Sequence, residues 1–402
     1  MIPFSLASEG ASYQTTFTST CGSRVTGTVR YEDFPITDAG FGSGELVPSR
    51  FVTVQVIRAK DDVVLAEGNT DAAGRYDLSF ANDKEPGFYV NVLAKRDSTG
   101  IKQSVQDLSG NLYAFRKPKK TEPAIDETKP TAPGQPFQVD VDVRKADGAG
   151  ALNIFEVGLS SALYTHGKSG RSPPALIIKW EAGRSPPLGN TSYYSSGVGI
   201  FVNGDAAKSR EYNDVVIAHE YGHFVLDAYS KDDSPGGDHG PWTRVGPPLA
   251  WSEGWATFFA ASSQKRSSYI AINSDGPGVS FSIETLPADV PTGNAGSVLS
   301  GDVSEAVVSA VLYDLYDATN EDNDTLSGKN AAIWTVVTSY LKAGNAKFAD
   351  RGAAGRDLVD FLDGWSCLGF GDRGEDDAHG LRGIVKGLAG LSHDFAEVAS
   401  CK

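Results

Sequence analysis

The sequence predicts an α+β protein: an all-β N-terminal part, then a mostly helical part that carries a small mixed sheet. Two observations predict it. Up to about residue 146, apolar residues alternate with polar ones in short runs broken by Gly, Asn and Asp. From about Ala151 onward they recur at helical spacing in longer runs. A third observation bounds the size: 402 residues suffice for two domains or one large one, and 40% hydrophobic with 10% aromatic residues is ample for a core. The net charge of −15 argues against nucleic acid or an anionic membrane surface as a partner. No run of 18 apolar residues is present, so no membrane span is expected.

Residues 1–20 are rich in Ser and Thr without periodicity and read as a flexible leader. They lack the basic region and apolar core of a signal peptide. The strands follow in order: RVTGTVRYED, FVTVQVIRAK, RYDLSF after the turn DAAG, and FYVNVLAKR after ANDKEPG. This is the pattern of an antiparallel sandwich over residues 21–146. Its run Thr70-Asp71-Ala72-Ala73-Gly74-Arg75-Tyr76 resembles the transthyretin-like modules that accompany many secreted peptidases. Residues 116–136, with five prolines, read as a linker or surface excursion before the strand FQVDVDV. Residues 147–402 form the second expected domain. Helices are predicted at ALNIFEVGLSSALYTH and over 213–229, 248–263, 303–317, 331–342 and 356–368, with short strands at ALIIKW and GIFV.

The predicted helix 213–229, capped by Asn213 or Asp214, contains His219-Glu220-Tyr221-Gly222-His223. Residues i and i+4 of a helix lie one turn apart on one face. His219 and His223 therefore aim two imidazoles at one point, as two corners of a tetrahedral zinc site require. Glu220 is turned about 100° away, beside such a site rather than in it. A third ligand is needed. Leu226 and Tyr229 stand where a metzincin has glycine and histidine, and Met1 is the only methionine, so a methionine turn is excluded. Glu253, in the apolar segment PPLAWSEGWATFFAA, is the candidate, because a carboxylate in that setting needs a cation.

HEYGH followed by WSEGWA resembles the gluzincins, the thermolysin-like zinc metallopeptidases, over most of residues 150–320. The resemblance implies a zincin domain with His219, His223 and Glu253 as zinc ligands and Glu220 as general base. It also implies that GIFVNG is the edge strand that holds an extended peptide. The usual NExxSD form of the glutamate helix is absent, so no orienting carboxylate is carried over. Such a site also needs an oxyanion donor. Glu305 and Tyr316 are eleven residues apart, about three turns plus 20°, and share a helix face. Tyr316 is the first candidate donor, with Tyr313 and His239 behind it. Glu305 is a candidate partner for a zinc-bound histidine.

The resulting expectation is one Zn²⁺ per chain in an endopeptidase acting on protein or peptide substrates. The alternatives are a zinc aminopeptidase or a non-catalytic surface-binding protein on a peptidase fold. Asp322, Asn323 and Asp324 could hold Ca²⁺, although a solvated acidic loop is the plainer reading. His166, His379 and His393 have no partner at ligand spacing. Cys367 and Cys401 could pair, which leaves Cys21 over. Because most such pairings of module and peptidase are secreted, an extracellular chain with its signal removed is expected.

Overall fold

The computed structural model describes residues 22–37, 40–81, 87–98, 100–129, 134–273, 276–284, 302–318, 326–370, 380–389 and 401. The expected leader, Cys21, the candidate calcium loop at Asp322–Asp324, His379 and His393 lie outside these residues. The architecture is α+β, with strands predominating before residue 146 and helices after it.

Strand Gly22–Asp33 alternates as the sequence does, turning Val25, Val29 and Tyr31 inward. Its first half pairs antiparallel with Arg75–Ala81 and its second half with Glu45–Pro48. Its other edge takes Phe137–Gln138 and Val141–Val143 in parallel. A second, antiparallel sheet runs Ala114–Lys117, Phe88–Leu93, Thr53–Arg58, Val64–Asn69. The two sheets meet through aromatic rings. Phe88 lies edge-on to Phe80 at 5.0 Å and to Phe137 at 5.4 Å.

A third sheet has the order Tyr193–Ser195, Gly199–Phe201, Leu176–Lys179, Ile101–Gln106, Lys95–Ser98. Ile101–Gln106 is parallel to Leu176–Lys179, so this sheet draws strands from both sides of residue 146. Helix α1, Gly150–Ser169, packs on it, and Gln103 Nε2 donates to the Phe155 carbonyl at 2.7 Å. Tyr31 and Asn153, and the Arg50–Glu156 ion pair, tie α1 to the N-terminal strands. One apolar cluster runs through all of this, from Val25 to Val385. The expected edge strand is corrected here. Gly199–Phe201 is buried and paired on both sides, and the edge is the half-buried Tyr193–Ser195. Tyr194 and Ser196 hold that edge on the next helix by donating to Asp227 at 2.6 and 2.7 Å.

Three further helices carry the centre of the molecule: α2 Asp214–Tyr229, α3 Pro247–Gln264 and α4 Glu305–Tyr316. Each is apolar on nearly every side, as expected of helices enclosed by others. Helix α3 lies between α2 and α4. Two glycines allow the close approach. A Cβ on Gly222 would stand 2.7 Å from Ala256 Cα, and one on Gly254 would stand 2.4 Å from Val308 Cβ. Asn213 occupies the position before α2 but does not cap it with its side chain. It bonds the backbone N–H and carbonyl of Ile272 instead, which ties the helix start to strand Ser268–Asn273. Helical segments Asn330–Thr335 and Leu358–Cys367 follow near their predicted places, and Cys367 is disulfide-bonded to Cys401.

Candidate metal centre

His219 and His223 project from α2 toward α3, where Glu253 meets them. Glu253 Oε2 lies 3.1 Å from His219 Nε2 and 3.3 Å from His223 Nε2, and the two Nε2 atoms are 3.2 Å apart. Three donors at the corners of a tetrahedron with bonds of about 2.0–2.1 Å stand about 3.3–3.4 Å from one another. The triangle present fits a Zn²⁺-sized ion without rearrangement. All three side chains are about nine-tenths shielded from solvent.

The other ring nitrogens are held as well. His219 Nδ1 meets Thr257 Oγ1 at 3.1 Å, and His223 Nδ1 meets Ser252 Oγ at 3.1 Å. Ser252 Oγ in turn donates to Asp232 Oδ2 at 2.8 Å. These partners leave each Nε2 as the metal-facing atom. Ser252 and Thr257 flank Glu253 in sequence, so a helical projection of α3 could have found them. Asp232 lies on the loop after α2, where no periodicity points to it.

Electrostatics follow from burial and crowding. Burial raises the Glu220 carboxyl to about 7; the His223 imidazole and the Tyr194 N–H pull it down, and the Glu253 charge adds to the rise. Burial opposes a charge on His223, but the carboxylates of Glu253, Glu220 and Asp232 outweigh it and raise that imidazole to about 9. Glu253 is buried too, yet His223, His219 and His239 hold it well below the ordinary carboxylate range.

His239 is brought in by the loop between α2 and α3, with Nε2 at 3.2 Å from Glu253 Oε2 and 3.9 Å from Glu305 Oε2. Its Nδ1 donates to the Gly237 carbonyl at 2.9 Å, which aims Nε2 at the cluster. Glu305 opens α4, is buried, and its Oε2 has no hydrogen-bond partner among the described residues. Burial, with Glu253 nearby, raises it to about 7. Glu305 therefore does not meet His219 or His223 as expected; their Nδ1 atoms meet Thr257 and Ser252 instead. Tyr316 is also away from the centre. Its hydroxyl donates to the Ser262 carbonyl at 3.3 Å, and its ring packs edge-on to Phe258. It shares a face with Glu305, but eleven residues of helix rise carry it about 16 Å along the axis. Tyr313 is buried in the core. The tyrosine that does reach the centre is Tyr269, whose ring is edge-on to His219 at 5.9 Å.

The centre lies in a cleft of about 570 Å³, walled by the edge residues Tyr193 and Tyr194, by Tyr269 and Phe281, and by the loop bearing His239. Two imidazoles and a carboxylate converge on one point, each with a supporting hydrogen bond or charge, and the group could hold a divalent metal ion between a pair of packed helices. Residues 160–360, half of the chain, match the family model of the mycolysin C-terminal domain, and the chain belongs to that family. The match links it to mycolysin-type secreted zinc metallopeptidases. Both helices of the centre lie inside the matched stretch. No curated protein matches. Among solved structures, the major plantain pollen allergen Pla l 1 is 16% identical with a TM-score of 0.18, covering 31% of this chain and 94% of that one. A 9R-lipoxygenase from Cyanothece PCC8801 is 9% identical with a TM-score of 0.17, covering 62% of this chain and 26% of that one. At these scores neither likeness bears on fold or function.

Proposed function

We propose that the chain is a zinc-dependent endopeptidase of the gluzincin type. The observation that carries this reading is the 3.1–3.3 Å triangle of His219, His223 and Glu253, with Glu220 beside it and outside it. Those three residues would hold the ion. When bound, it supplies Lewis-acid polarisation of a water and of a carbonyl.

The chain's own residues do the rest. Among the described residues Tyr193–Ser195 is the outer strand of its sheet and lies along the cleft; its Tyr194 N–H bonds Glu220, and an extended peptide could add to the edge through the backbone groups that remain. Glu220, buried in the cleft beside the three proposed ligands and outside them, is suited to take the proton of the attacking water and pass it to the leaving amine. His239 replaces Tyr316 as the donor to the carbonyl oxygen. Its Nδ1 is already spent on Gly237, which leaves Nε2 turned toward the cleft as the atom that would donate. The Cys367–Cys401 disulfide supports an extracellular location.

One observation favours a second reading, a zinc aminopeptidase: Glu305, whose Oε2 has no hydrogen-bond partner among the described residues and lies 3.9 Å from His239 Nε2, lines the cleft, where it could hold a substrate's free amine. Cleavage of N-acetylated peptides separates the two, since an aminopeptidase requires the free amine. The main test uses Glu220→Gln. It is expected to keep one zinc per chain by elemental analysis and to lose about 10²–10⁴-fold in turnover of a quenched peptide. A zinc-loaded Glu220→Gln protein that cleaves at the wild-type rate would remove Glu220 from the chemistry.

A further inference from the structure

The metal end of the cleft is acidic, with Glu220, Glu253, Glu305 and Asp232 around the histidines. Arg210 lines the same cleft and stands apart from them. Its backbone N–H donates to the Asn203 carbonyl at 2.8 Å, beside the sheet. Its side chain crosses to strand Ser268–Asn273, where Nη1 donates to the Ile272 carbonyl and Nη2 to Asn273 Oδ1 at 2.8 Å. A guanidinium has five N–H donors. Among the described residues two are used, both on neutral acceptors, and three remain.

Among the described residues no carboxylate pairs with Arg210, and the acidic group that bears on it is the Tyr269 phenol. Burial pushes its pKa down, so the charge is held at a cost in a half-buried place. Two neutral acceptors do not offset the burial of a full positive charge, whereas an incoming anion would. The distance is also suitable. Tyr269 touches His219, and Ile272 lies three strand residues further on, about 10 Å away. At about 3.3 Å per residue that is the reach of a substrate residue about two or three positions from the bond to be cut.

We propose that Arg210 makes this cleft selective for a peptide carboxylate placed about two or three residues from the scissile bond. The carboxylate is either an Asp or Glu side chain or the peptide's own C-terminus. The proposal rests on the peptidase reading for the cleft's use, but its test is binding and does not depend on turnover.

The test measures binding of fluorescent, N-acetylated short peptides to the full zinc-loaded chain by anisotropy. One series is C-amidated and carries a single Glu or Gln walked through successive positions. A second carries Gln throughout, with a free or an amidated C-terminus. Wild type is expected to bind the best Glu peptide, or the free-acid peptide, about 10–100-fold tighter than its neutral twin. Arg210→Gln should abolish that difference, read as the ratio of charged to neutral peptide affinity, while Arg210→Lys should keep part of it. Preference for Glu in the first series assigns a side chain, and preference for the free acid in the second assigns a C-terminus. Equal binding of charged and neutral peptides by wild type overturns the proposal without using any variant. A preference that survives Arg210→Gln overturns it as well. If the carboxylate preference stands and no peptide is ever cut, Arg210's role holds and the peptidase reading fails instead.

Discussion

Replacing Gly222 by alanine tests whether helix packing, and not just ligand identity, builds the metal centre. Gly222 lies between the two histidines on the side of α2 that faces α3. An added Cβ would stand 2.7 Å from Ala256 Cα and 3.1 Å from Phe259 Cβ. Non-bonded carbons rest at about 3.5–4.0 Å, so α2 and α3 must part locally by about 1 Å. Two of the three donor edges, 3.1 Å from His219 and 3.3 Å from His223 to Glu253, cross that gap. Widening each to about 4 Å exceeds the roughly 0.2 Å that a metal site tolerates in its bonds. The same contact carries the hydrogen bond from Trp255 Nε1 to the Gly222 carbonyl, 3.0 Å. Overpacking of this kind costs about 1–3 kcal/mol. Zinc affinity should fall on the order of 100-fold, comparable to losing a partner that orients a ligand, or about 2.7 kcal/mol. Competition with a chromophoric chelator measures the affinity, and thermal denaturation of the apo chain measures the packing cost. Gly240→Ala is the control, because a Cβ there meets nothing closer than 3.5 Å. Gly222→Ala protein that binds zinc within threefold of wild type would refute the reasoning.

Other predictions follow from the same geometry. His239→Gln should lower kcat on the order of 10²–10³-fold with zinc retained. Tyr316→Phe should stay within threefold, since its hydroxyl serves the Ser262 carbonyl, away from the centre; steady-state kinetics on one peptide decides between the two. Asp357 and Asp360 are fully buried, and burial raises them to about 7 and about 8, with the Asp357 charge adding to the rise of Asp360. The folded chain then holds protons that the unfolded chain, near 3.8, has released. Their contribution to stability is full below about pH 4 and is lost as pH rises through about 7–8. The melting temperature should therefore gain on going from pH 9 to pH 6 in wild type and gain less in Asp360→Asn, as read by circular dichroism. We also propose that the boundary at 146/147 does not separate independent folding units. A fragment starting at residue 147 loses Ile101–Gln106 and strips one of the two partners from Leu176–Lys179, so it should lack near-UV dichroism; a fragment with native near-UV signal and zinc binding would show two separable modules.

Much of the centre was legible in the chain because it depends on local periodicity. Four-residue spacing on a helix puts His219 and His223 on one face, whatever the rest of the fold does. A lone glutamate among tryptophans and phenylalanines needs a cation, which singled out Glu253. The alternation of RVTGTVRYED and FVTVQVIRAK likewise specified strands with one buried face. The misplaced expectations all concerned relations that periodicity does not encode. The shared face of Glu305 and Tyr316 was an angular argument, while their separation is axial, so one reaches the centre and the other reaches Ser262. His239 is delivered by a loop whose path is set by tethers far away in sequence, among them Asp233 to Arg356 and Pro241 to Ala306. Nothing in GIFV shows that Tyr193–Ser195 will pair outside it, nor in Ile101–Gln106 that it will cross to Leu176–Lys179, because strand pairing is chosen by the whole set of available edges. The sequence by itself determined which side chains can bind a metal. The tertiary structure decided which protons, charges and sheet edges surround that metal site, because those neighbours come from segments that meet only when the core closes.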